Sequence, residues 1–265
     1  MFTLKSNGDL KYYTIDEFEK TGLVKHGFST RCGGVSENEY ESMNLRMHCD
    51  DKRENILKNY EIFSSEIGVN FENLVFSNQV HCDTIKSVGK EDMGNGIRMP
   101  QKWDGADGLI TNEPGVPLCI FSADCVPVFF LDTKKKVIAL VHSGWKGTAL
   151  KISAKCVTKM VNEYGSCPQD ILCGIGPSIG ACHFEVGDEV ADVFRDAYGE
   201  TVLEKHEKWH VNMQKAIEIS LLEKGILKEN IIHSEVCTYC NWELLFSHRK
   251  TNGKRGVMAG IMELI

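Results

Sequence analysis

Between residues 74 and 175 the chain alternates short apolar runs with polar or glycine-containing breaks, a rhythm of strands more than of long helices. Runs at 74–77, 84–88, 108–111, 118–122, 126–131, 137–141 and 171–175 each predict a strand, and further runs at 23–29, 231–236 and 257–262 predict three more. Residues 132–136 separate two of them and predict a hairpin turn. Apolar positions three and four apart predict helices over 52–67, 148–164, 187–198 and 212–224. The second sets Ala149, Ile152, Cys156, Met160 and Tyr164 on one face and stops at Gly165. Gly94, Gly96 and Pro100 make 94–102 a loop, placed to cover a site. The class is α/β or α+β, with mixed β-sheets flanked by helices. No repeat or linker divides residues 1–265, so one compact domain is expected.

Composition narrows the function classes. A net charge of −7 and a pI near 5.7 argue against a nucleic-acid or anionic-membrane surface, and leave room only for a local basic pocket. The first nine residues turn polar before a signal-peptide core can form, and no apolar run is long enough to span a bilayer. A cytoplasmic protein is expected, with no membrane and no nucleic-acid partner. Eleven cysteines are many, but their odd number and spacing do not describe a disulfide scaffold. Cys119, Cys156 and Cys173 sit in apolar patterns and read as buried packing residues.

Three segments carry chemistry. Cys125 lies between two strand-like runs, beside Asp124 and two residues before Pro127, which should make the strand bulge. His142 ends a strand and leads through Gly144 and Gly147 towards a helix, where backbone N–H groups and Lys146 would suit an anion. His81 follows another apolar run, with Gln79 expected on the same strand face. Two imidazoles and a thiolate form a suitable zinc ligand set with a fourth position open, but spacing alone does not join them. Arg31, Asn44, Arg249 and Arg255 lie in loops and could serve a polar substrate. Cys237 and Cys240 form a CxxC with no second CxxC to complete a four-cysteine site, so it reads as structural. Cys182-His183 and the pair Cys32 and Cys49 read the same way.

Taken together, the stretches GFSTRCGGVS (27–36), SMNLRMHCDD (42–51), LVFSNQVHCDT (74–84), ADGLITNEPGVPLCIFSADCVPVFFLD (106–132), VHSGWKGTA (141–149), GIGPSIGACHFEVGDEV (174–190) and CTYCNWELLFSHRKTNGKRG (237–256) resemble one family. It is the laccase-domain family, also called multicopper polyphenol oxidase or YfiH/YlmD-type purine nucleoside phosphorylase. The resemblance implies a zinc ion on His81, Cys125 and His142, and a fold similar to a toxin domain with cysteine-hydrolase chemistry. It implies phosphorolysis of adenosine, inosine, guanosine and 5′-methylthioadenosine to the base and ribose 1-phosphate, with deamination of adenosine as a second activity. Purine nucleoside and phosphate are then the partners, and the protein a monomer or weak dimer. Within that reading Cys125, His142, His81 and Asp124 are catalytic, and Arg31, Asn44, Gln79, Lys146, Glu185 and Arg249 hold substrate or phosphate. Ser143, Lys146, Cys49 and the run Asn252–Arg255 depart from the family's usual residues.

Three alternatives compete. A copper polyphenol oxidase needs His-x-His pairs, and nine histidines here include none, which leaves copper only as an alternative ion in the same site. A metal-free hydrolase would use Cys125 as nucleophile and His142 as base, and would not need His81. A purely structural metal site would need a fourth ligand.

Overall fold

The computed structural model describes residues 1–265. Two six-stranded mixed sheets stack face to face. The first runs β1 (Phe2–Asn7), β2 (Leu10–Ile15), β3 (Val24–Ser29), β15 (Met258–Leu264), β7 (Leu118–Ser122) and β4 (Val75–Phe76). The second runs β14 (Ile231–His233), β10 (Ile171–Ile175), β8 (Val126–Asp132), β9 (Val137–Ser143), β6 (Gly108–Thr111) and β5 (Ile85–Ser87). A small third sheet joins β11 (Glu185–Val186), β13 (Trp209–Val211) and β12 (Leu203–Lys205).

Side-chain alternation sets the layers. On β8, Val126, Val128 and Phe130 point one way, and Phe129 and Leu131 the other. The first set packs on α4 (Ile152–Tyr164), α5 (Asp188–Tyr198) and α6 (Met213–Glu223), through residues such as Cys156, Phe194 and Ile217. The second meets Phe28, Ile120 and Met258 of the first sheet. The outer face of that sheet, with Cys119, Ala259 and Ile261, is covered by Ile56, Tyr60 and Phe63 of α2 (Arg53–Glu66). The order is therefore helix, sheet, sheet, helices. Both sheets are covered on both faces, which is why their central strands read as unbroken apolar runs. Gly260 of β15 permits the close approach, since a Cβ there would lie 3.0 Å from the Phe129 ring. Two short helices, α1 (Asp16–Glu19) and α3 (Trp145–Ala149), complete the set. No helix is long and apolar enough to cross a membrane.

Two expectations need correction, and one element was missed. The helix expected over 148–164 is two, α3 and α4, because Lys151 between them is left-handed (φ +58°) although the apolar spacing continues through it. There is no bulge at Pro127: β8 pairs with β9 in unbroken register from Val126 opposite Ser143 to Asp132 opposite Val137. The Pro127 carbonyl accepts from Gly176 N–H just past the end of β10, so its missing donor falls where that ladder stops. The hairpin β1–β2 was not expected, because its outer strand is half-exposed and carries no apolar run.

Candidate metal centre

Parity along the strands points Cys125 and His142 the same way. His142 follows Ile138 and Leu140 on the inner face of β9, and Cys125 precedes Phe129 and Leu131 on that of β8. Cys125 also marks the place where the chain crosses from the first sheet, left at Ser122, to the second, joined at Val126. Asp124 makes that tight crossing with φ +90°, a strained conformation for a residue with a side chain. The Ser122 hydroxyl donates to the Cys125 carbonyl across the turn.

His81 does not lie on a strand. It sits in the loop after β4 with φ +61°, so the same-face expectation for Gln79 and His81 does not hold. The loop is shaped by Asp107, just before β6. One Asp107 oxygen accepts the N–H groups of Val80 (2.9 Å) and Cys82 (3.0 Å), and the other accepts His81 N–H (3.1 Å). That second oxygen also accepts Nδ1–H of His142 at 2.6 Å, which leaves His142 Nε2 free to bind. Asp107 is fully buried. Burial pushes its pKa up, but the His142 contact and the backbone donors win and hold the carboxyl below its usual range.

The three ligand atoms converge. Cys125 Sγ, His81 and His142 place their donor atoms within 4.8 Å of one another, with Cys125 Sγ 3.9 Å from His81 Nε2. Burial raises the Cys125 thiol, but His142 and His81 outweigh it and draw the pKa down to about 6. Burial disfavours the His142 cation, yet Cys125 and Asp107 push it up to about 9. A thiolate with two imidazoles, one oriented by a carboxylate, fits a zinc-type ion in donor chemistry and in reach. Gly144 is needed here for space: a Cβ would meet His81 Cδ2 at 2.7 Å and Cys125 Sγ at 3.2 Å.

Two cavities meet at the centre and share His81, Ala123, Cys125 and Arg255 as walls. One, of about 340 Å³, is rich in polar groups, among them Arg46, His48, Asn78 and Gln79, and is bordered by Gly96 of the expected covering loop. The other, of about 370 Å³, has apolar walls of Trp145, Ile179, Phe184 and Met213, with His248 and Arg249 among its lining. Arg255 is partly buried beside both; its Nε–H has no partner, while Nη1 donates to the Gly256 carbonyl.

The remaining expected residues fall in three groups. Arg249 lines the apolar cavity, its guanidinium donating to the His183 and Glu185 carbonyls. Gln79 borders the polar cavity, but its amide is spent on the Phe121 backbone, accepting its N–H at 2.6 Å and donating to its carbonyl at 2.8 Å. The Asp124 carboxylate is likewise taken, accepting from Thr238 Oγ1 and from Arg249 N–H, both at 2.6 Å. Arg31, Asn44, Lys146 and Glu185 line neither cavity. Arg31 donates to the Glu41 and Trp242 carbonyls in a separate cleft. Asn44 braces Val257 and Asp51, Lys146 lies over the Trp145 ring, and Glu185 pairs with Lys208. Asp107 was missed, since an aspartate before an apolar strand looks like any turn residue.

Residues 25–265 match the family described as multi-copper polyphenol oxidoreductase laccase. The chain is 34% identical over 237 residues to purine nucleoside phosphorylase YlmD of Bacillus subtilis, covering 88% of this chain and 85% of that one. It is 33% identical over 246 residues to a purine nucleoside phosphorylase of Bacteroides thetaiotaomicron, covering 90% and 91%. Its fold superposes on the crystal structure of YfiH from Bacillus licheniformis with a TM-score of 0.91, at 31% identity and 99% coverage of both chains. YlmD from Geobacillus stearothermophilus gives 0.91 at 29% identity, covering 100% of this chain and 99% of that one.

Proposed function

The chain belongs to the multi-copper polyphenol oxidoreductase laccase family, and from that membership we propose that it is a zinc-dependent purine nucleoside phosphorylase that also deaminates adenosine. Relatives named purine nucleoside phosphorylase support the reaction class. The observation that carries the reading is the meeting of two cavities, one with more polar lining than the other, at an open thiolate–imidazole centre. Phosphorolysis needs two reactants at one carbon. A phosphate oxygen bonds to ribose C1′ as the bond from C1′ to the purine nitrogen breaks, and the departing base takes up a proton. Two cavities with a common wall suit that geometry.

His81, Cys125 and His142 would hold the zinc, which when bound supplies Lewis acidity towards a purine or a water molecule. Asp107 keeps His142 in one tautomer. Trp145, Phe184 and Met213 form an apolar slot for the purine ring. Arg255, a wall of both cavities, is the residue placed to take phosphate, with Arg46 and His48 on the polar side. Asp124 and Gln79 act by positioning, since their polar atoms are already engaged. The reading includes one domain over residues 1–265, working in the cytoplasm as a monomer or weak dimer.

The test is a product assay with zinc-loaded protein and adenosine, with and without phosphate. Phosphate-dependent adenine and ribose 1-phosphate are expected, and inosine for the deaminase. No product from adenosine, inosine, guanosine or 5′-methylthioadenosine would overturn the reading. It would leave the metal-free hydrolase, which the Cys125–His142–Asp107 arrangement favours. His81 separates the two: its loss abolishes zinc binding but spares a Cys–His dyad. Metal analysis of the purified protein decides between zinc and copper.

A further inference from the structure

The Cys237–Cys240 pair has ligands to join after all. Cys182 and His183, more than fifty residues earlier, lie against it, and the four side chains bring their ligand atoms within 4.8 Å of one another. Cys182 Sγ is 3.7 Å from Cys237 Sγ and 3.8 Å from Cys240 Sγ. His183 Nδ1 is 3.2 Å from Cys182 Sγ and 3.4 Å from Cys240 Sγ. Four ligands on a tetrahedral zinc, with Zn–S near 2.3 Å, put sulfur atoms about 3.8 Å apart and sulfur and nitrogen about 3.6 Å apart. A disulfide would bring two sulfurs to about 2.05 Å. Both sulfur separations from Cys182 match the first geometry, and all three thiols are free.

The surrounding backbone is built for such a site. Gly180 N–H donates to Cys237 Sγ at 3.2 Å, a bond that suits a thiolate acceptor. A Cβ on Gly180 would press on Cys182 Sγ at 3.2 Å and on Cys237 Sγ at 3.5 Å, so glycine leaves the cluster its room. Turns hold each half: His183 N–H donates to the Gly180 carbonyl, and Asn241 donates from both backbone and side chain to the Cys237 carbonyl. The His183 ring stacks on Tyr239 at 4.0 Å, which fixes its plane.

We propose that Cys182, His183, Cys237 and Cys240 form a second zinc site, closed by four protein ligands and structural in role. It is separate from the His81, Cys125 and His142 centre, which has three ligands and an open side. It ties the segment after β10 to the segment before β15. Both segments wall the apolar cavity, through Ile179 and Phe184 on one and His248 and Arg249 on the other. Thr238, inside the CxxC, donates to Asp124, so the clamp also reaches the crossing that presents Cys125. The inference does not depend on the nucleoside reading.

The experiment counts zinc and thiols in the full-length protein purified under reducing conditions. Two zinc ions per chain are expected, one in Cys125→Ala and one in Cys240→Ser. Cys182 and Cys240 are exposed, as is Cys167, which has no part in either centre. Iodoacetamide followed by mass spectrometry should label Cys167 at once, and Cys182 and Cys240 only after a chelator is added. This readout uses the unmodified chain, so it holds even where Cys240→Ser fails to fold. One zinc per chain, with Cys182 and Cys240 alkylated as fast as Cys167, would overturn the site. So would a disulfide among the three cysteines.

Discussion

Asp107 and His142 are joined by a 2.6 Å hydrogen bond between a fully buried carboxylate and the imidazole Nδ1–H. The same carboxylate gathers the N–H groups of Val80, His81 and Cys82. One aspartate thus orients a histidine from the second sheet and shapes the loop that delivers a histidine between β4 of the first sheet and β5 of the second.

Asp107→Asn should weaken zinc binding at the three-ligand centre by about 10- to 100-fold, the usual effect of losing a carboxylate behind a metal-binding histidine. A competition titration against a chromophoric chelator measures it. Unchanged affinity would show that Asp107 serves the loop alone.

Gly144→Ala is a sharper probe, because its backbone (φ −70°) accepts alanine while its Cβ would sit 2.7 Å from His81 Cδ2. The exposed imidazole is the part able to move, so zinc affinity should fall by about tenfold or more. The metal-free protein should melt within a few degrees of the parent. Calorimetry with and without zinc separates the two effects.

Arg255→Ala should raise the KM for phosphate by about 10- to 100-fold, the loss of roughly 1.5–3 kcal/mol expected for a charged hydrogen bond. The KM for the nucleoside should change much less. Arg255→Lys should restore part of the effect, since it keeps the charge but not the fork. Equal changes in both KM values would remove Arg255 from the phosphate side.

Acid stability should depend on His26, whose Nε2 accepts Ile15 N–H at 2.8 Å beneath Phe18. Burial holds its pKa down to about 4. Below pH 6.5 the unfolded chain takes up a proton that the folded chain refuses. Stability should therefore fall from about pH 6.5 to about pH 4 and level off below, by roughly 3 kcal/mol in all. His26→Gln keeps an acceptor without the titration, and urea unfolding across this range should show that part of the slope gone.

The central strands were legible because β8 and β9 are buried on both faces and keep their polar residues, Asp132, His142 and Ser143, to their last positions. The β1–β2 hairpin was not, because its edge strand faces water and breaks the pattern. The break at Lys151 was hidden for the opposite reason: apolar spacing persists across a residue whose backbone has left the helix. Cys125, His142 and His81 stood out as residue types in suggestive places, but nothing local reports that they meet. Side chains were harder still. Asp124 and Gln79 look available in the sequence, and only the fold reveals the Thr238, Arg249 and Phe121 groups that occupy them. Cys182 and Cys240 find each other only through tertiary structure.

The crossing at Ser122–Val126 makes the three-ligand centre a gauge of sheet docking. His81 and Cys125 sit on the two segments that cross from the first sheet to the second, after β4 and after β7, and His142 belongs to the second. If the sheets slide or part, the ligand triangle opens before either sheet need lose its own ladders. Cobalt in place of zinc would then change colour with the separation of the two layers. An optical signal at one end of the sandwich would follow the loosening of an interface that runs its whole length.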